Sequence, residues 1–242
     1  MNLSRSRHKN REENLYAFTQ PKSPVAESFR ALRTNITFAA LERPCRTLLV
    51  ASVGPGDGKS TVTANLGVVT AQAGSRVLII DCDLRKPVLH RYFEVDNHHG
   101  LTNLLAQDLE LPDVVCSTGV ENLWVLTSGP VPPNPSELLG SQKMKSLLGE
   151  IAGQYDRVLI EAPPVVAVTD AAVLAPVVDG VVLVVKSGST RIDMARDAKA
   201  QLEKASARII GVILNEVKMN GEDSRYYYYY EGKDRSSKEV IL

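Results

Sequence analysis

Short uncharged apolar runs recur along the chain, separated by stretches in which apolar residues fall three and four positions apart. The runs Leu48–Ser52, Val77–Ile80, Leu123–Leu126, Val158–Ile160, Gly180–Val185 and Ile209–Leu214 read as six strands buried on both faces. Helical spacing fills the intervals over Thr61–Ala73, Gly100–Leu105, Met144–Ile151, Asp170–Ala175 and Thr190–Ala205. A further helix, Pro24–Ala39, precedes the first strand, with Ser23 as its cap, Pro24 at its first position and Phe29, Leu32 and Ile36 as its apolar stripe. Gly74 marks a helix end, Pro130, Pro132, Pro133 and Pro135 make a rigid loop, and Asn134 is placed to cap the helix that follows. Strands alternating with helices predict an α/β fold, a mostly parallel sheet with helices on both faces.

The first strand runs into Val53-Gly54-Pro55-Gly56-Asp57-Gly58-Lys59-Ser60-Thr61. Glycines let backbone N–H groups converge on anionic oxygens without a Cβ in the way, and the helix that follows points its positive end at the same place. Lys59 can reach the β and γ phosphates of a nucleotide, and the Ser60 hydroxyl can ligate Mg²⁺. Gly54, Gly56, Asp57, Gly58, Lys59, Ser60 and Thr61 are therefore the candidate nucleotide-binding residues. The loop departs from Gly-x-x-x-x-Gly-Lys-Ser/Thr in one respect: the first glycine of that pattern falls on Val53.

Polar groups also stand at the carboxyl ends of three other strands, where open α/β sheets collect their ligands. Asp81 and Asp83 follow the second strand, and either can hold Mg²⁺ or its waters, or take a proton from an incoming hydroxyl. Glu161 follows the strand at Val158–Ile160 and is placed to hold Mg²⁺ through water. Asn215 ends the last strand, where its amide can pair with a nucleotide base or simply shape a turn.

Composition narrows the partners. Over 242 residues the formal net charge is zero, which offers no argument for nucleic-acid binding. Cys45, Cys82 and Cys116 are scattered without metal-ligand spacing and are expected as reduced thiols. No apolar run reaches the length of a membrane span, and the start of the chain has no signal-peptide pattern. Residues 1–22 read as a flexible arm whose early half is basic, either a contact for acidic lipid or an acidic partner, or a solvated tail. Residues 23–217 form the globular domain, and 218–242 an exposed tail. In that tail Tyr226, Tyr227, Tyr228, Tyr229 and Tyr230 stand in a row that cannot face one core in either a helix or a strand. As phosphoacceptors they would change the tail by roughly −8 to −10 charges when fully modified.

In this order the triplet Glu27-x-x-Arg30-x-x-Arg33, the loop Gly54–Thr61, the box Asp81-Cys82-Asp83-Leu84-Arg85 and the tyrosine run resemble the bacterial tyrosine kinases. These are P-loop autokinases of capsule and exopolysaccharide synthesis, and the chain resembles their stand-alone cytoplasmic form from about Ser23 to its end. The resemblance implies ATP and Mg²⁺, with Lys59, Asp81 and Asp83 catalytic, Asp81 the base, and Ser60, Asp81, Asp83 and Glu161 around the metal. It implies a ring-shaped homo-oligomer through Glu27, Arg30 and Arg33, whose charges by themselves read only as a solvated helix face. It further implies that each tail is phosphorylated in a neighbour's site, regulating polymer synthesis and export. The activator would be a cytoplasmic segment of a membrane co-polymerase, which places the chain in the cytoplasm at the inner membrane face; other protein substrates are possible. The family's box Asp-Ser/Thr-Pro-Pro is Glu161-Ala162-Pro163-Pro164 here, which keeps the charge on a longer stem and loses a hydroxyl. An ATP-gated scaffold of the export machinery is therefore an alternative. So is a partitioning-type ATPase, although those carry an additional lysine where Gly54 stands and have no tyrosine tail.

Overall fold

A computed structural model describes residues 15–107 and 109–218. The basic start of the chain and the tyrosine cluster lie outside the described residues. The chain opens with α1 (Tyr16–Thr19) and α2 (Pro24–Ala39), then β1 (Thr47–Ser52), α3 (Lys59–Ala71) and β2 (Val77–Asp81). Three short helices follow, α4 (Leu89–Tyr92), α5 (Leu101–Ala106) and α6 (Leu111–Val114), and then β3 (Val115–Ser117) and β4 (Leu123–Leu126). The second half comprises α7 (Pro135–Leu139), α8 (Gln142–Gln154), β5 (Arg157–Glu161), α9 (Asp170–Leu174), β6 (Gly180–Lys186), α10 (Ile192–Lys204) and β7 (Ile209–Asn215).

Among the described residues the strands form one sheet in the order β3-β4-β2-β5-β1-β6-β7, parallel throughout except for the edge strand β3. The expected α/β architecture is what the chain adopts. Both faces of the central strands are buried, because alternate residues enter two separate cores. Leu49, Ile80 and Ile160 lie in one, with the buried sides of α8 and α10. Leu48, Val50 and Ile79 lie in the other, against α2 and α3. This is why those strands read as continuous apolar runs. Helix α3 is buried from Val62 to Ala71, and at Gly67 an added Cβ would lie 2.5 Å from Ile79 Cδ1, so a glycine sets its close approach to β2.

The structure departs from the sequence expectations at several elements. Helix α3 begins at Lys59, two residues before the expected Thr61, which puts Lys59 and Ser60 in its first turn. Helix α10 starts at Ile192 rather than Thr190. Asn134 precedes α7, but its side chain makes no capping bond and donates instead to Glu137 Oε2 at 2.8 Å. The short strand β3 pairs antiparallel with β4 and carries too few residues to show a period. The segment assigned to the flexible arm is seated on the domain from residue 15: Leu15 and Ala17 are buried, and the Ala17 N–H donates to Asn65 Oδ1 of α3 at 2.8 Å. Finally, β7 is not covered on both faces. Val212 and Leu214 are 60% and 58% exposed, because β7 is the sheet edge and α10 leaves a groove of about 480 Å³ beside it.

Candidate active site

The loop between β1 and α3 has the backbone that its glycines allow. Gly56 and Gly58 have φ of +81° and +89°, in the region L side chains rarely adopt. Gly58 immediately precedes α3, and an added Cβ there would lie 2.1 Å from Asn215 Nδ2. The loop thus presents the amino end of a thirteen-residue helix at the carboxyl end of the sheet, between β5 and β6.

Sheet order brings the acidic residues to this place. Strand β5 pairs with β1 on one side and β2 on the other, so Glu161 is the register partner of both Val50 and Asp81. Lys59 reaches across from α3. Its Nζ lies 2.6 Å from Glu161 Oε1 and 2.8 Å from Asp83 Oδ2. Ser60 Oγ donates to the same Glu161 oxygen at 2.5 Å. Glu161 is fully buried, and its second oxygen, Oε2, has no hydrogen-bond partner among the described residues. Burial works against the Lys59 ammonium, but the charges of Glu161 and Asp83 outweigh it and raise its pKa above the usual lysine value.

Asp81 is fully buried too, and its oxygens are engaged by backbone. Oδ1 accepts from the Asp83 N–H at 3.1 Å, and Oδ2 from the Val88 and Leu89 N–H groups at 3.2 and 3.1 Å. Burial first, and then the Glu161 charge, push its pKa well above the carboxylate range. Asp83 Oδ1 accepts from the Lys86 N–H at 3.0 Å, which leaves Oδ2 to Lys59. Cys82, between the two acids, is held as a thiol by burial and by the charge of Asp81.

The predicted residues Lys59, Ser60, Asp81, Asp83 and Glu161 therefore converge. Asn215 reaches the loop as well, donating its Nδ2 to the Asp57 carbonyl at 2.9 Å. The Asp57 side chain bonds within the protein, to Gly54 N at 2.7 Å and to Thr190 Oγ1 at 2.8 Å. Glu27, Arg30 and Arg33 lie apart on α2 and have partners in the same chain. Arg30 pairs with Glu27 at 2.9 Å and donates to the Pro21 carbonyl at 2.6 Å, while Arg33 donates to the Val69 carbonyl of α3 at 2.9 Å. Three contributors went unread in the sequence. Tyr92 shares a hydrogen bond with Thr61 Oγ1 at 2.9 Å, Thr190 meets Asp57, and Asp170 holds Arg85 through Nε at 3.2 Å with Ser136 alongside. No local spacing marks such pairs, which are distant in the chain. The groove beside β7 contains none of the acidic cluster, so the chemistry belongs to the loop and not to that cavity.

The donor set suits a polyphosphate with Mg²⁺. No three His, Cys, Asp or Glu side chains among the described residues are arranged to hold a metal ion by themselves. Mg²⁺ is commonly held by few protein oxygens together with phosphates and water. Ser60 Oγ and the buried, unpartnered Oε2 of Glu161 supply such oxygens.

Comparison with known proteins agrees with this geometry. Residues 48–239 match the family described as the CobQ/CobB/MinD/ParA nucleotide binding domain. The chain is 44% identical over 229 residues to the tyrosine-protein kinase YwqD of Bacillus subtilis, covering 95% of this chain and 96% of that one. It is 42% identical over 217 residues to the putative tyrosine-protein kinase CapB of Staphylococcus aureus, covering 90% and 95%. Among solved structures, the kinase domain of Escherichia coli tyrosine kinase ETK superposes with a TM-score of 0.82 at 36% identity, over 94% of this chain and 84% of that one. The septum site-determining protein MinD of Pyrococcus horikoshii, solved with Mg-ADP, superposes at 0.61 with 28% identity, over 75% and 76%.

Proposed function

The chain belongs to the bacterial tyrosine-protein kinases, and from that membership we propose that it transfers the γ-phosphoryl of ATP to Tyr226–Tyr230 of a neighbouring copy. The observation that carries this reading is the position of Lys59. Its ammonium stands at the head of α3 between Glu161 and Asp83, with Ser60 on the same Glu161 oxygen. A cation so placed can bind the β and γ phosphates and stabilise charge that spreads over the transferring group. The loop N–H groups and the α3 amino end hold the rest of the polyphosphate. Mg²⁺ would be held by Ser60 Oγ and, through water, by Glu161, Asp83 and Asp81, and when bound it neutralises charge on the phosphate oxygens.

Asp81 is the candidate base for the tyrosine hydroxyl. Its raised proton affinity suits that role, which requires the Val88 and Leu89 amides to release Oδ2. The acceptor comes from the tail. Ten extended residues span at most ~33–36 Å, which is the reach the segment after Asn215 would need to cross a subunit border. A ring assembled through Glu27, Arg30 and Arg33 would present it. Glu27 is 60% exposed on α2, and Val25, Phe38 and Leu41 stand exposed on or just beyond the same helix. Accumulated phosphate would separate the subunits by repulsion, coupling phosphorylation to assembly and hence to polysaccharide synthesis and export. A membrane co-polymerase segment would serve as activator at the inner membrane face; no described helix is long and apolar enough to cross a membrane.

A second reading follows from Glu161-Ala162, where the family box has Asp-Ser/Thr: a scaffold that binds ATP without transferring phosphate. Mass spectrometry of the full chain incubated with Mg-ATP, with and without activator segments, separates the two. Phosphate on Tyr226–Tyr230 that is lost in Lys59→Ala establishes the kinase for this chain. ATP binding by the wild-type chain without any phosphate transfer refutes it in favour of the scaffold, and rescue by Glu161→Asp would trace the loss to the longer acid.

A further inference from the structure

We propose that Asp57 is a positioning residue which, with Thr190 and Asn215, clamps the phosphate loop in its receptive shape. This rests on the nucleotide-binding reading above. Within nine residues the loop has glycines at 54, 56 and 58, so its backbone is costly to order. The structure shows what orders it from within the protein. Asp57 is 6% exposed, and its Oδ2 accepts from the Gly54 N–H across the loop at 2.7 Å. Its Oδ1 accepts from the Thr190 hydroxyl at 2.8 Å. The Thr190 oxygen itself accepts from the Lys186 N–H at 2.8 Å. A hydroxyl has one proton to give, and that acceptor bond leaves it directed at Asp57.

Asn215 completes the clamp from the end of β7. Its amide donates to the Asp57 carbonyl at 2.9 Å and lies against Gly58, which keeps side-chain bulk out of that position. One residue is thus tied through its side chain to the start of the loop and to the turn after β6, and through its backbone to β7. The clamp has an electrostatic purpose as well. A carboxylate free to move in a phosphate cradle would repel the polyphosphate; the bonds to Gly54 and Thr190 fix both of its oxygens. The shape of the loop therefore depends on residues 186–190, remote in sequence from the motif.

Calorimetric titration of ADP with Mg²⁺ into the full chain tests this, alongside thermal melting of each unliganded variant. Asp57→Ala is expected to weaken ADP about tenfold and Thr190→Val about fivefold, and Thr190→Val, which leaves Asp57 Oδ1 and the Lys186 N–H without their hydroxyl partner, is expected to melt somewhat lower. Thr190→Ser keeps the hydroxyl and should bind like the wild type. The double variant should bind no more weakly than Asp57→Ala, because Thr190 acts through Asp57. Thr190→Val binding within about twofold of wild type, or a double variant in which the losses multiply, overturns the clamp. A wild-type chain that binds no ADP overturns the nucleotide reading and this proposal with it.

Discussion

Replacing Lys59 by methionine keeps the aliphatic stem and removes the ammonium that bridges Asp83 and Glu161 at 2.8 and 2.6 Å. The three side chains are 12%, 6% and 0% exposed, so water cannot take over as counter-charge. Removing one partner of a buried ion pair costs about 3–5 kcal/mol, because the charge left behind is uncompensated. Here two carboxylates are left, with Asp81 in register beside Glu161. For a domain of this size about 2–4 °C is lost per kcal/mol, so the unliganded variant should melt roughly 6–20 °C lower. The dependence on pH supplies a second signature. The folded pKa of Lys59 is raised, so its own contribution is fully present below the ordinary lysine range and is lost only as pH rises through the folded value. Across the neutral and mildly acidic range, any difference between variant and wild type therefore comes from the carboxylates. Asp81 is already raised in the wild type, and loss of the nearby ammonium raises it further. The folded variant then binds more protons than the unfolded chain, and its penalty should shrink as pH falls from neutral towards the ordinary carboxylate range. Urea unfolding followed by the fluorescence of Trp124, the single tryptophan, measures this at each pH. A variant within about 0.5 kcal/mol of wild type at the higher pH, or a penalty that grows on acidification, would refute the reasoning. Adding Glu161→Gln should restore part of the loss. A charge-removing Lys59 variant thus reports on folding as well as on catalysis, and its inactivity needs a stability control.

Two further outcomes follow from local geometry. Gly58→Ala and Gly149→Ala should move stability in opposite directions in a melting experiment. At position 58 the backbone has φ +89° and Asn215 Nδ2 blocks the Cβ, so about 1–2 kcal/mol or more is lost and ADP binds more weakly; at position 149, inside α8 with open space around it, about 0.4–1 kcal/mol is gained. Brief N-ethylmaleimide treatment at mildly alkaline pH should label the half-buried Cys116 first, with all three cysteines labelled only after unfolding. Burial raises the Cys45 thiol to about 11 and pushes Cys82 well above its usual value; Cys82 labelling at the rate of Cys116, read by peptide mass, would contradict this.

Six of the seven strands among the described residues, the longer helices between them, and the glycine-rich loop with Lys59 and Ser60 were legible in the sequence alone. All of these depend on neighbours in the chain: buried strands need uncharged runs, and a phosphate cradle needs glycine at positions whose φ is positive, as at Gly56 and Gly58. The acidic residues were legible as strand ends but not as a cluster. Only the order β2-β5-β1 makes Asp81 and Glu161 neighbours and lets Lys59 reach Glu161 from 102 residues away. The seating of Leu15 and Ala17 against α3 and the exposed side of β7 were equally illegible. Each depends on whether another element is present to cover it, which no local period encodes. The bonds of Asp57 to Thr190 and of Arg85 to Asp170 span 133 and 85 residues. Such contacts exist only once the sheet has closed the distance, so tertiary structure alone decided that Thr190 meets Asp57 of the phosphate loop and that Asp170 meets Arg85.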